Sequence, residues 1–95
     1  MTDFDKALQR AEQQFKAQFD HWAFDERDSS RDLQFFLERD LGRKLSSPEL
    51  KDQEFLDAEA RSEELEAAAY DIGFQRRVGT GVSVAIAEEK FQRLK

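Results

Sequence analysis

The sequence predicts an all-α protein, a small irregular bundle of three or four helices in a single domain over residues 1–95. Three observations point to this class. Apolar residues recur at intervals of three and four, the spacing of one face of an α-helix. Gly and Pro are scarce, with four and one in the 95 residues. No pair of segments alternates as two strands would, and a lone strand would leave its backbone groups unpaired.

Two helices are predicted in the first half of the chain, over residues 3–24 and 29–41. The first carries an uninterrupted apolar stripe of Phe4, Leu8, Ala11, Phe15, Phe19 and Trp22. The second begins at Ser29, where Asp32 resembles the far residue of a capping box, and ends near Gly42. Its buried face would be Leu33, Phe36, Leu37 and Leu41. Because only the serines at 29 and 30 argue for a joint, one long bent helix is the alternative.

The third helix, over residues 48–72, has the clearest start. Ser47 is a typical N-cap, Pro48 suits the first helical position, and Glu49 adds a favourable negative charge to the first turn. The helix is predicted to end or kink around Gly73. A core stripe runs along it through Phe55, Ala58, Ser62, Leu65, Ala69 and Ile72.

A second apolar stripe lies on another side of this helix, at Leu56, Ala67, Tyr70 and Phe74. Acidic residues are interleaved with it at Asp52, Glu59, Glu63 and Glu66. Such a helix either packs against two neighbours or offers one stripe to another chain. The candidate partner-binding surface therefore consists of Leu56, Glu59, Glu63, Glu66, Tyr70 and Phe74.

A fourth helix is predicted over residues 82–94, after Gly79-Thr80-Gly81. Residues 82–86 alternate like a strand, but helical spacing continues to the last residues through Val84, Ala87, Phe91 and Leu94. Since no other segment could pair with a strand here, the helix is the better interpretation.

The net charge of −6 is unevenly distributed. Residues 1–46 carry ten acids and eight bases, residues 47–72 nine and two, and residues 73–95 two and five. The acidic middle block repels phosphate backbones, so direct nucleic-acid binding is disfavoured, and a basic protein surface is its natural complement. The simpler interpretation is that these acids only solvate one helix.

Composition also bears on the compartment of the protein. The chain has no Cys, which excludes disulfides and thiolate metal sites. It begins with neither a basic segment nor an apolar run, and no stretch approaches the roughly 18 apolar residues of a membrane-spanning helix. A cytoplasmic protein without membrane contact is expected.

Residues suited to catalysis are sparse. The single His, His21, has no second His and no metal-ligand spacing, so a surface or partly buried structural role is expected. Glu63, Glu64 and Glu66 lie in one solvated charged run rather than in contrasting environments. The Gly79-Thr80-Gly81 turn lacks the fuller glycine-rich phosphate fingerprints. The sequence thus predicts no enzyme, no cofactor and no metal.

Glu59, Glu63 and Glu66 suggest a more specific function for the acidic block. They rise about 6 Å and then about 4.5 Å along one side of the helix, comparable with phosphate separations along a nucleic-acid strand. A protein that mimics DNA presents such a row to a basic cleft. Tyr70 and Phe74 would add the apolar anchors that an interface needs.

The N-terminal half also matches the spacing of a known family. The matching positions are Met1 to Asp5, Glu12, Phe15, Phe24, Glu26, Arg31, Leu33 and Leu41 to Arg43. In these residues the chain resembles the zeta subunit family, the small helical inhibitors of the bacterial F1-ATPase, although residues 28–36 replace that family's basic and aliphatic second-helix signature. The resemblance implies a four-helix fold whose N-terminal segment inserts into the motor's catalytic interface and blocks rotation. That segment would here comprise Phe4, Asp5, Glu12 and Phe15.

The predicted function is binding without catalysis. The chain is expected to regulate or inhibit another protein, with a basic or nucleic-acid-binding partner favoured. Two alternatives stay open: a zeta-like ATPase inhibitor, and a homo-oligomeric structural protein whose second stripe is a self-interface.

Overall fold

The computed structural model describes residues 2–20 and 31–95. These residues form no strand and five helices: α1 (Asp3–Ala17), α2 (Leu33–Leu41), α3 (Ser47–Leu50), α4 (Gln53–Val78) and α5 (Gly81–Leu94). The predicted all-α class is confirmed. The expectations for His21, Trp22, Phe24, Glu26 and Ser29 fall outside the described residues.

Helices α1 and α2 form an antiparallel hairpin. Arg10 on α1 forms a salt bridge with Asp40 on α2, with 2.6 Å between Nη2 and Oδ2. Nearer the connection, the Gln18 side chain accepts from the Arg31 backbone N–H and donates to its carbonyl, at 3.0 and 3.1 Å. Helix α1 ends at Ala17, not at residue 24 as predicted, because the chain turns at residues 18–20.

Helix α2 begins at Leu33, so the predicted helix over residues 29–41 is wrong at residues 31–32, which precede α2. Asp32 is the N-cap, and its side chain accepts from the Phe35 backbone N–H at 2.8 Å. The predicted end is confirmed: Gly42 adopts the left-handed conformation at φ 71°, and its N–H donates to the Glu38 carbonyl at 2.9 Å. A residue with a Cβ would be strained there.

The predicted helix over residues 48–72 is two helices. Ser46, not Ser47, caps α3 and forms a capping box with Glu49. Asp52 then caps α4, where its carboxylate accepts from the Phe55 N–H at 3.2 Å. Two strong capping sequences six residues apart leave room for only one turn of helix between them.

Helix α4 continues through Gly73 to Val78, so the predicted end near Gly73 is wrong. A single Gly inside a helix costs only about 1 kcal/mol relative to Ala, which packing can offset. Helix α5 starts one residue earlier than predicted, at Gly81, and Thr80 caps it. It runs antiparallel to α4, and Arg76 pairs with Glu88 at 3.0 Å.

The core lies where one side of α4 meets the other helices. All six residues of the predicted core stripe of α4 are at most 7% exposed: Phe55, Ala58, Ser62, Leu65, Ala69 and Ile72. The Phe19 ring, just after α1, connects α1 to α5. It packs edge-on against Phe15 of α1 and against Phe91 of α5, with ring centroids 5.3 and 5.9 Å apart. This arrangement buries one side of α4 and leaves its opposite side in solvent.

Candidate functional site

The six candidate partner-binding residues share one long face of α4. An α-helix turns about 100° per residue, so they fall within an arc of about 80°. Leu56 and Phe74 are exposed, at 40% and 48%, whereas Tyr70 is partly buried and packs against the core. The two ends of the predicted stripe are therefore at the surface, and Tyr70 contributes to internal packing.

The three glutamates of this face, Glu59, Glu63 and Glu66, are called the acidic band below. Glu63 is exposed, and the other two are partly buried. Burial raises the pKa of the Glu59 carboxyl, and the negative charges of Glu63 and Asp32 raise it further. The ionised form of Glu59 is therefore held in unfavourable surroundings, and a cation brought by a partner would improve them.

Asp32 was not recognised from the sequence as a neighbour of the acidic band. It precedes Glu59 by 27 positions and reaches the band only because α2 packs against α4. Its own carboxylate stays near the start of α2, where it caps the helix. The cap of α2 thus adds negative charge to the face of α4.

The N-terminal segment singled out by the zeta resemblance is largely built into the bundle. Phe15 is 1% exposed, and Phe4 is partly buried against the core. Asp5 belongs to the capping box of α1, and Glu12 accepts from Arg61 Nη2 of α4 at 2.5 Å. Of the four residues, the two acids lie nearer the surface and the two aromatic side chains pack inward.

A groove of about 300 Å³ separates α1 from the first turns of α4. Its lining residues are Asp5, Leu8, Gln9, Glu12, Glu54, Asp57 and Arg61. Asp5 is the largest influence on the carboxyl of Glu54, whose pKa it raises. The pKa of Asp5 is lowered, first by the Thr2 backbone N–H and then by Glu54.

Carboxyl pairs whose pKa values move apart are a common arrangement for acid and base catalysis. Asp5, however, is engaged in the cap of α1, and Glu54 is exposed. The pair is therefore an acidic contact between the first turns of α1 and α4. Sequence reasoning missed it because the two residues are 49 positions apart and meet only when α1 lies parallel to α4.

Three further exposed apolar residues lie around the turn between α4 and α5. Val78, Val82 and Ile86 are 65%, 70% and 61% exposed. Val78 was missed because the predicted helix ended at residue 72. The signal was present, since Val78 follows Phe74 by four residues and extends the same side of α4.

The chain matches no known family model, no curated protein and no solved structure. The zeta resemblance therefore stays a prediction. Within residues 2–20 and 31–95, no helix has both the length and the apolar character to span a membrane. The same residues contain no group of three or more His, Cys, Asp or Glu side chains arranged to hold a metal ion.

Proposed function

We propose that this protein binds a basic surface of another protein through the acidic band of α4, and that it regulates its partner without catalysis. The observation that carries the proposal is that the acidic band lies on one face of α4 between the exposed Leu56 and Phe74, with Glu59 partly buried. Two carboxylates of like charge stand beside this partly buried group. A Lys or Arg side chain from a partner would relieve that repulsion.

Asp5 and Glu12 in the groove between α1 and α4 are weaker candidates for the same role. Glu12 already pairs with Arg61, and Asp5 accepts from the Thr2 backbone N–H at 3.1 Å. Their negative charge is therefore engaged within the chain. A new cation would have to displace these contacts before it could bind, whereas it would only add a contact at Glu59 or Glu63.

Exposed apolar groups border the acidic band at both ends. Leu56 and Phe74 are 18 positions apart on one helix, which corresponds to about 27 Å. Interfaces combine buried apolar anchors with a polar rim, and the energy comes mostly from the anchors. In this proposal Leu56 and Phe74 provide affinity, and the acidic band provides orientation and a fast encounter.

The spacing of the acidic band supports a finer proposal, in which the partner is a nucleic-acid-binding protein. Glu59, Glu63 and Glu66 lie within one uninterrupted helix, so the rises of about 6 Å and 4.5 Å apply to the folded chain. A cleft built for a row of phosphates would accept these carboxylates. Duplex DNA added to such a complex should then release this chain.

An oligolysine peptide serves as the probe for the general proposal. Replacing Glu59, Glu63 and Glu66 together by Gln should lower the association rate about tenfold at low salt and flatten its salt dependence, because charges on a binding surface steer the encounter of the two molecules. Stopped-flow fluorescence of a labelled peptide measures both quantities. Circular dichroism checks that the helices are retained.

A control with the same change in charge separates the acidic band from the net charge of the protein. Asp3, Glu64 and Glu89 are exposed acids on other faces, and their triple Asn/Gln/Gln replacement also removes three negative charges. This control should keep most of the wild-type rate. Equal losses for the two triple variants would mean that only net charge attracts the peptide, and the site would be withdrawn.

A further inference from the structure

The outer side of α4 carries a row of apolar residues that the acidic band does not include. Leu56, Ala60, Ala67, Phe74 and Val78, called the outer row below, are all exposed. At about 100° per residue they fall within an arc of only about 40°, on the side opposite the core. The row extends over 22 residue steps, which is about 33 Å of helix.

The outer row is symmetric about its central residue. Leu56 and Val78 each lie 11 positions from Ala67, and Ala60 and Phe74 each lie seven positions from it. In an antiparallel pair of α4 helices related by a two-fold axis at Ala67, Leu56 would therefore meet Val78. Each Phe74 would meet the small Ala60 of the other copy, and the two Ala67 residues would meet on the axis. An interface across a two-fold axis needs this self-complementary layout.

The charges along α4 favour the antiparallel orientation. The first half of the helix is strongly acidic, and its last turn is basic through Arg76 and Arg77. Parallel pairing would set acid against acid. In the antiparallel pair, Glu59 of one copy lies near Arg77 of the other, since both flank the row on the same side and lie eight and ten positions from Ala67.

We propose that the outer row of α4 is the contact surface for a second copy of this chain, packed antiparallel about Ala67. The small residues at the centre allow the two helix axes to approach to about 9–10 Å. Since each Cα lies about 2.3 Å from its own axis, the two Ala67 Cα atoms are then about 4.4–5.4 Å apart. Leu56, Phe74 and Val78 supply the apolar contact at both ends. This inference rests on the symmetry of the row. Because it uses Leu56, Phe74 and Glu59, a second copy and the basic partner proposed above would compete for the same part of α4.

Single cysteines test both the dimer and its orientation, because the chain contains no Cys of its own. In the proposed dimer Ala67→Cys places one thiol from each copy beside the two-fold axis. The Cα atoms of the two Cys residues then lie within the about 4.4–6.8 Å that a disulfide requires. Ala60→Cys places them about 21 Å apart, since the two positions are then 14 helical steps apart. Under mild oxidation the first variant should form a covalent dimer and the second should not. Cross-linking of both variants would indicate a parallel pair and would overturn the proposal.

The second measurement is the dimer Kd, obtained by sedimentation of the wild type and of variants without an added Cys. Phe74→Ser should raise the dimer Kd at least about tenfold, whereas Val82→Ser, which alters a 70% exposed residue on α5, should leave it unchanged. Glu59→Gln should weaken the dimer and Glu64→Gln should tighten it, because Glu64 flanks the row on the other side and faces Asp71 of the second copy. If only the net negative charge of the two copies opposed the dimer, both substitutions would tighten it. Opposite effects of Glu59→Gln and Glu64→Gln therefore test the proposed orientation. A wild type that stays monomeric at millimolar concentration, with no cross-linking of the Ala67→Cys variant, would refute the inference.

Discussion

Phe15 is the residue whose truncation should destabilise this fold most clearly. Its side chain is 1% exposed, and its ring packs edge-on against Phe19 at 5.3 Å, which in turn contacts Phe91 of α5 at 5.9 Å. Phe15→Ala would remove a large buried ring from the cluster of aromatic side chains that connects α1 to α5. Buried Phe→Ala changes cost about 3 to 5 kcal/mol, which includes the cavity left behind.

That loss is large on the scale of the whole molecule. A domain of this size has about 5 to 15 kcal/mol of stability, and each kcal/mol corresponds to about 4–8 °C in Tm. Phe15→Ala should therefore lower the Tm by more than about 12 °C. Thermal unfolding followed by circular dichroism at 222 nm, together with urea titration, gives both quantities.

Phe74→Ala provides a matched control, because it makes the same chemical change at a residue that is 48% exposed. At low protein concentration its cost should stay below about 1 kcal/mol, as for most surface substitutions. Similar losses for the two variants would refute the assignment of Phe15 to the core. A loss below half of one kcal/mol for Phe15→Ala would do so as well.

Three further predictions concern pH and the turns. Hydrogen bonds from Arg43 lower the pKa of Glu49 from 4.5 to about 2. The wild type should therefore have a higher free energy of unfolding than Glu49→Gln above pH 4.5, and this difference should vanish as the pH falls towards 2. Glu54 has a raised pKa, so its charge opposes folding at neutral pH; Glu54→Gln should raise the Tm at pH 7, and the gain should disappear below its ordinary pKa. A Cβ at Gly79 would collide with side-chain and backbone atoms of the α4–α5 turn, whereas one at Gly81 would meet nothing within 4 Å. Gly79→Ala should therefore destabilise, and Gly81→Ala should add up to about 1 kcal/mol in urea titrations.

The core of this protein was predictable because it depends on local spacing. Phe55, Leu65 and Ile72 repeat at the period of a helix, and all three are buried in the fold. The same holds for Gly42, since the need for a left-handed residue at a helix end is a property of the chain itself. Patterns with a period and caps with a fixed geometry are visible without knowledge of tertiary contacts.

The element boundaries were harder because several local signals compete. Ser46, Ser47 and Asp52 are all good N-caps, and the sequence alone does not rank them. In the fold Ser46 and Asp52 are both used, which divides the predicted helix. Gly73 was taken as a terminator, but packing along α4 outweighs its modest cost, and the helix gains the turn that carries Val78.

The candidate site was only half visible in the sequence. The acidic band and its apolar ends lie on one helix, so their spacing placed them correctly on one face. The contribution of Asp32 to the charge near Glu59 depends on the packing of α2, and the Asp5–Glu54 contact depends on the packing of α1. Contacts between distant segments require the fold and have no signature in a single sequence.

Within residues 2–20 and 31–95, two acidic surfaces can attract a cation: the acidic band of α4, and the groove between α1 and α4. Amide chemical shifts recorded by NMR during titration with the oligolysine peptide distinguish them directly. We expect the largest shifts at Glu59, Glu63 and neighbouring residues of α4, with loss of the shifts at high salt. Shifts concentrated at Asp5, Glu12 and Glu54, or spread evenly over the surface, would contradict the proposed site.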